Sequence, residues 1–119
     1  IIVGLDTKLV VSNCTNYKSV TGSENYAGGI AGHMDISQSQ SNALVVNSVN
    51  KGNIMVDSIG CGLICVVFAE GSSGNLTVLN SMNKERIMAD YGFGIANKVT
   101  KARNVVSTGT LLGSYSNSC

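Results

Sequence analysis

Tryptophan is absent, aromatic residues make up only 5% of the chain, and charged residues only 13%. The shortage of rings excludes a core built on bulky side chains and leaves Val, Ile, Leu, Ala and Met to fill a thin one. Scarce charge means little self-repulsion, and 44% hydrophobic residues supply ample surface to bury, so the chain does not read as disordered. There is no basic run and the formal net charge is +1, which argues against a nucleic-acid partner or a polybasic membrane anchor. Long apolar runs are missing too: the longest, residues 59–69, is about half of the roughly 20 residues a spanning helix needs and contains two glycines. It reads as a buried strand, and no membrane insertion is expected. A single His and no Cys-x-x-Cys spacing argue against a zinc site, and no cofactor is expected.

What the sequence has instead is turns and a repeat. The 119 residues, with 14 Gly and many Asn and Ser, suit one domain spanning 1–119. Residues 42–57 align with 75–90 at a shift of 33, with nine of sixteen identical: Asn42/Asn75, Val45/Val78, Asn47/Asn80, Ser48/Ser81, Asn50/Asn83, Lys51/Lys84, Ile54/Ile87, Met55/Met88 and Asp57/Asp90. The match continues through Gly62/Gly94 and Leu63/Ile95. Weaker copies lie 34 residues before, with Val11, Asn13, Asn16 and Val20, and 24 residues after, with Ala102, Asn104, Ser107 and Leu111. The copies occupy about 7–40, 41–72, 73–99 and 100–119, with residues 1–5 as the tail of a preceding coil.

Each copy holds three short apolar runs bounded by Asn, Gly, Ser or Asp; in the second they are residues 44–48, 53–57 and 61–68. A helical repeat fails on spacing: only residues 83–89 could hold two turns, and their partners include Gly52 and Asn53. The expectation is an all-β, three-sided parallel β-solenoid, or β-helix, of about 33 residues per coil and three to four coils.

Stacked coils place equivalent residues above one another. Asn13, Asn47, Asn80 and Asn104 are expected to form a ladder of side-chain amides where the chain turns into the core. Asn16, Asn50, Asn83 and Ser107 form a second polar column, expected to bond backbone in the following turn. Cys61 and Cys65, four apart on one predicted strand, would lie about 13 Å apart and could not bond each other. They read as buried thiols, or as partners for Cys14 or Cys119. With Leu63 facing in, Ile64, Val66 and Phe68 face out as an apolar patch, covered by residues 33–42 or by another chain.

The Gly-Gly-Ile-Ala-Gly stretch at 28–32, followed by Val-Val-Asn-Ser-Val-Asn-Lys-Gly-Asn-Ile at 45–54, resembles the GLUG-type Gly- and Asn-rich repeats of bacterial adhesins and of surface proteins in some unicellular eukaryotes. That resemblance implies a solenoid used as a stalk, adhesive surface or extracellular scaffold. The third copy departs from it, with Glu85-Arg86 where Gly52-Asn53 would stand, and that turn is free to differ in conformation.

Function is less legible. Four Cys and two glycosylation sequons, at Asn13 and Asn75, favour an extracellular or cell-surface glycoprotein. His33 and Asp35 head a Ser/Gln-rich loop without a nucleophile nearby. Asp57 and Asp90 would stack as the carboxylates of carbohydrate-active β-helices do, with Arg86 near. Both termini fall within strand-like copies with no cap visible, which favours head-to-tail self-association into a filament. The leading expectation is thus a non-enzymatic structural module; an adhesive or glycan-binding segment is the alternative, and a carbohydrate-active enzyme the third.

Overall fold

The computed structural model describes residues 1–4, 6–67, 73–113 and 115–117, the last three as backbone alone. Every element among them is a β-strand. Chain order gives β1 (Lys8–Ser12), β2 (Thr15–Asn16), β3 (Val20–Gly22), β4 (Tyr26–Gly28) and β5 (Ala31–Asp35). The next layer has β6 (Asn42–Val46), β7 (Val49–Asn50), β8 (Ile54–Val56), β9 (Ile59–Cys61) and β10 (Ile64–Val67). The third has β11 (Asn75–Leu79), β12 (Met82–Asn83), β13 (Ile87–Met88) and β14 (Tyr91–Phe93), and the fourth β15 (Lys101–Arg103), β16 (Val106–Ser107), β17 (Leu111–Leu112) and β18 (Tyr115–Asn117).

All pairing is parallel and joins equivalent positions of successive layers. Four sheets are four strands deep, in the orders β1-β6-β11-β15, β2-β7-β12-β16, β3-β8-β13-β17 and β4-β9-β14-β18. The register follows the sequence repeat: Asn16, Asn50, Asn83 and Ser107 share one column, and Val20, Ile54, Ile87 and Leu111 another. This is a parallel β-solenoid. Ile87–Met88 is strand, paired with Ile54–Met55.

The full coil carries five short strands rather than three. Run 44–48 ends at the corner of Asn47 and Ser48, after which Val49–Asn50 forms its own strand. Run 61–68 is broken at Gly62 and Leu63, so the chain changes direction between β9 and β10. His33 and Asp35 lie within β5, and the loop begins after them.

β5 and β10 form the fifth sheet, which residues 1–3 extend on the other side of β5: Ile2 bridges Asp35, and Val3 donates its N–H to the Asp35 carbonyl. In the third layer the connection is nine residues shorter, consistent with its shift of 24 against 33. There the Asn97 side chain replaces a strand. Its Nδ2 donates to the Val66 carbonyl at 2.8 Å and its Oδ1 accepts the Val66 N–H at 2.6 Å.

Two apolar clusters fill the interior. In the larger, Val45, Leu76 and Val78 from the first sheet meet Met34, Ile36, Leu63, Ile64 and Val66. The smaller gathers Ile54 and Ile87 with Ala27, Val56 and Ala89. Burying each Val, Leu or Ile contributes about 1.5–3 kcal/mol. Between the two along the chain stands the polar column at Asn50.

Candidate functional site

The inner polar column is a continuous hydrogen-bonded ladder. Asn16 Nδ2 donates to Asn50 Oδ1 at 2.8 Å, Asn50 Nδ2 to Asn83 Oδ1 at 2.8 Å, and Asn83 Nδ2 to Ser107 Oγ at 3.2 Å. Each amide also closes its own turn: Asn16 Nδ2 donates to the Lys18 carbonyl, Asn50 Nδ2 to that of Gly52 and Asn83 Nδ2 to that of Glu85. The Lys18 and Gly52 N–H groups return a bond to Asn16 and Asn50 Oδ1. Asn50 thus uses both its donors and both its lone pairs, which is what lets a side chain with no exposed surface remain polar. At Glu85-Arg86 the amide-to-carbonyl closure of this turn is kept.

The inner column thus bonds the backbone of the following turn, as expected, and also forms the ladder that was expected of Asn13, Asn47, Asn80 and Asn104. Asn13, Asn47, Asn80 and Asn104 are exposed and take left-handed backbone angles, φ 55°, 52°, 48° and 59°. Asparagine tolerates that region better than other non-glycine residues, so the column serves the turn and not the core. Within it, one bond between layers is present, from Asn104 Nδ2 to Asn80 Oδ1 at 3.0 Å.

A neighbouring column supplies further bonds between layers. Ser81 Oγ accepts the Ser48 N–H at 3.1 Å, and Ser48 Oγ accepts the Cys14 N–H at 3.3 Å. Cys14 thus occupies a serine position, half-buried as a free thiol. The identity of Ser48 with Ser81 carried this signal in the sequence. Opposite the ladder, Gly29 and Gly62 make room for it: a Cβ there would approach Asn50 Cβ or Asn83 Cβ to 2.7 Å. The Gly-Gly-Ile motif is the other wall of the asparagine column.

Cys61 and Cys65 form a disulfide, with Cα atoms 5.4 Å apart. The separation of about 13 Å assumed an extended strand, and the corner at Gly62 and Leu63 removes that premise. The same corner resets the alternation of facing: Ile64 and Val66 are fully buried in the larger cluster and are not a surface patch. Residues 33–42 do not cover them from outside, since Met34 and Ile36 enter the same core. Phe68 and Cys119 lie outside the described residues. Of the two sequons, Asn13 is exposed; Asn75 is half-buried in β11, donating to Asn42 Oδ1 and the Ser73 carbonyl.

His33 is exposed and meets the Tyr26 ring edge-on at 5.6 Å. Asp35 Oδ1 accepts both the hydroxyl and the N–H of Ser37. These bonds, with smaller help from His33 and the N-terminal amine, hold its carboxyl below the usual range. The outer face of the β3-β8-β13-β17 sheet carries an exposed row of Met55, Met88 and Leu112 above Thr21. Asp57 and Asp90 border this row, and together they line an open groove of ≈ 740 Å³. Among the described residues, no group of three His, Cys, Asp or Glu side chains is placed to hold a metal ion. No family model, curated protein or solved structure matches this chain.

Proposed function

We propose that the chain is a structural module of an extracellular β-solenoid, and that it joins other copies through its two open ends. The observation that carries this is the pair of end edges. Among the described residues, β1 to β4 have a neighbour on one side only, and so do β15 to β18. Inner side chains at those ends, Leu9, Val11 and Val20 below and Val105 and Leu111 above, are only partly buried, whereas Ala43, Val45, Ile54 and Ile87 between them are buried. An unpaired strand edge over incompletely covered apolar residues is a template for another chain. The disulfide and the exposed Asn13 sequon support an oxidising compartment, and the likeness to GLUG-type repeats supports a scaffold role. Sedimentation velocity and electron microscopy over a wide concentration range test it: oligomers growing along one axis are expected, and a strictly monomeric particle overturns it.

The groove favours a second reading, a glycan-binding surface. Met55, Met88 and Leu112 offer an apolar floor, Asp57 and Asp90 offer acceptors for sugar hydroxyls, and exposed Tyr91 follows in the chain. The same carboxylates would serve a carbohydrate-active enzyme. Binding and hydrolysis assays on a polysaccharide panel, with Asp57→Asn and Asp90→Asn combined, separate these: loss of binding supports the glycan site, loss of turnover the enzyme, and no effect removes both.

A further inference from the structure

The two ends of the solenoid are not alike, and their difference specifies how copies meet. We infer that a second copy docks head-to-tail, with the asparagine ladder running through the junction and Ser107 of one copy donating to Asn16 of the next. This rests on the reading that the open edges join copies; it adds the sense of the joint and the atoms that set it.

The first support is backbone direction. The carbonyls of Cys14 and Asn16 accept the N–H groups of Val49 and Lys51 above them. In a parallel ladder alternate residues bond to opposite sides, so Thr15 turns its N–H and C=O to the open lower edge. At the upper end, Val106 and Thr108 donate to the carbonyls of Ser81 and Asn83 below, so Ser107 turns its N–H and C=O to the open upper edge. A copy stacked in the prevailing register sets Thr15 over Val106 and Asn16 over Ser107, as Val49 stands over Thr15 and Asn50 over Asn16. Each free donor then faces a free acceptor.

The second support is the polarity of the side-chain ladder. Every bond in it runs upward, from the Nδ2 of a lower residue to the oxygen of the one above. At the bottom, Asn16 Oδ1 accepts one bond, from the Lys18 N–H, where Asn50 Oδ1 in the middle accepts two. At the top, Ser107 Oγ accepts from Asn83, and its hydroxyl proton has no acceptor among the described residues. Head-to-tail stacking brings that proton to that lone pair. Tail-to-tail stacking would set two Asn16 carbonyl oxygens against each other with no proton between them.

Two blocked variants test the sense of the joint. Thr15→Pro removes the free N–H of the lower edge without touching a bond inside the molecule. Ser107→Pro does the same at the upper edge, with loss of the Asn83 contact. Circular dichroism first establishes that each variant folds, and sedimentation and native mass spectrometry then read assembly. Each variant alone should be monomeric, and an equimolar mixture should give a 1:1 heterodimer, because the open upper end of Thr15→Pro meets the open lower end of Ser107→Pro. Homodimers of either variant, or a mixture that stays monomeric while the parent assembles, overturn the head-to-tail joint and leave end-joining standing. A parent chain that never assembles overturns end-joining itself. Should Ser107→Pro fail to fold, Ser107→Ala decides the matter. It removes the hydroxyl that donates across the junction and leaves the backbone edge intact, and it should weaken association roughly fivefold, the effect of one hydrogen bond lost. An unchanged or tighter association overturns the continuous ladder.

Discussion

Two columns of asparagine climb this solenoid three residues apart, with the same period and the same residue type, and they answer to different physics. The outer one, Asn13, Asn47, Asn80 and Asn104, is exposed and needed for its backbone, which turns through left-handed angles. The inner one, Asn16, Asn50 and Asn83, has no positive φ and is needed for its side chain, which bonds the layers and closes the turns. Only the inner column has a dedicated wall, the glycines Gly29 and Gly62. A recurring residue thus marks where layers stack but not whether the stack uses its amide or its φ.

Substitution should pull the two columns apart. Asn50→Ala removes an amide making four bonds at a site without solvent, stranding Gly52, Asn16 and Asn83, and should cost roughly 3–4 kcal/mol in urea unfolding. Asn50→Gly should be no better. In the outer column the order reverses: Asn47→Ala strains the left-handed turn by about 1 kcal/mol, while Asn47→Gly should stay within about 0.5 kcal/mol of the parent. If glycine rescued position 50, or failed at 47, the division of roles would be wrong. Between these effects lies the disulfide, which pins the corner that carries Gly62 against Asn83. Cys61→Ala with Cys65→Ala should cost about 2 kcal/mol, the loop entropy of so short a ring, in the same unfolding measurement.

The fold class, the parallel stacking and the register of the columns could be read from the nine identities in sixteen, because each residue pairs with its own equivalent. Corners could not. Val49–Asn50 is too short to show a period, and Gly62 with Leu63 interrupts a run that looks like one strand. Alternation carried straight through that corner turns Ile64 and Val66 outward and holds Cys61 and Cys65 apart, so both differences have one cause. The ladder's place in the inner column and not the outer one has another, since periodicity carries no information about which side of the backbone faces in. The serine column was visible in Ser48 and Ser81, but Cys14 at their position disguised its continuation.

The smallest effect separates both columns from the remaining polar contacts by pH. Amides do not titrate between pH 3 and 7, so Asn50→Ala should lower stability by the same amount at either pH. Asp35 behaves otherwise. Its carboxylate accepts the Ser37 hydroxyl and N–H, which lower its folded pKa beneath the unfolded value of about 3.9. A group whose pKa is depressed by folding stabilises the fold above the unfolded pKa, and that contribution fades as pH falls through the folded one. Asp35 is solvent-accessible, so the contribution is modest. Ser37→Ala removes the largest cause of the shift. It should weaken the fold slightly at pH 7 and not at all once Asp35 is protonated, so that parent and variant converge in acid. Urea unfolding at a series of pH values measures this directly. Parallel curves would mean that Ser37 acts on the loop after β5 through packing and not through the carboxylate, whereas convergence confined to Ser37→Ala, with Asn50→Ala staying offset throughout, would place the ladder among the uncharged contacts.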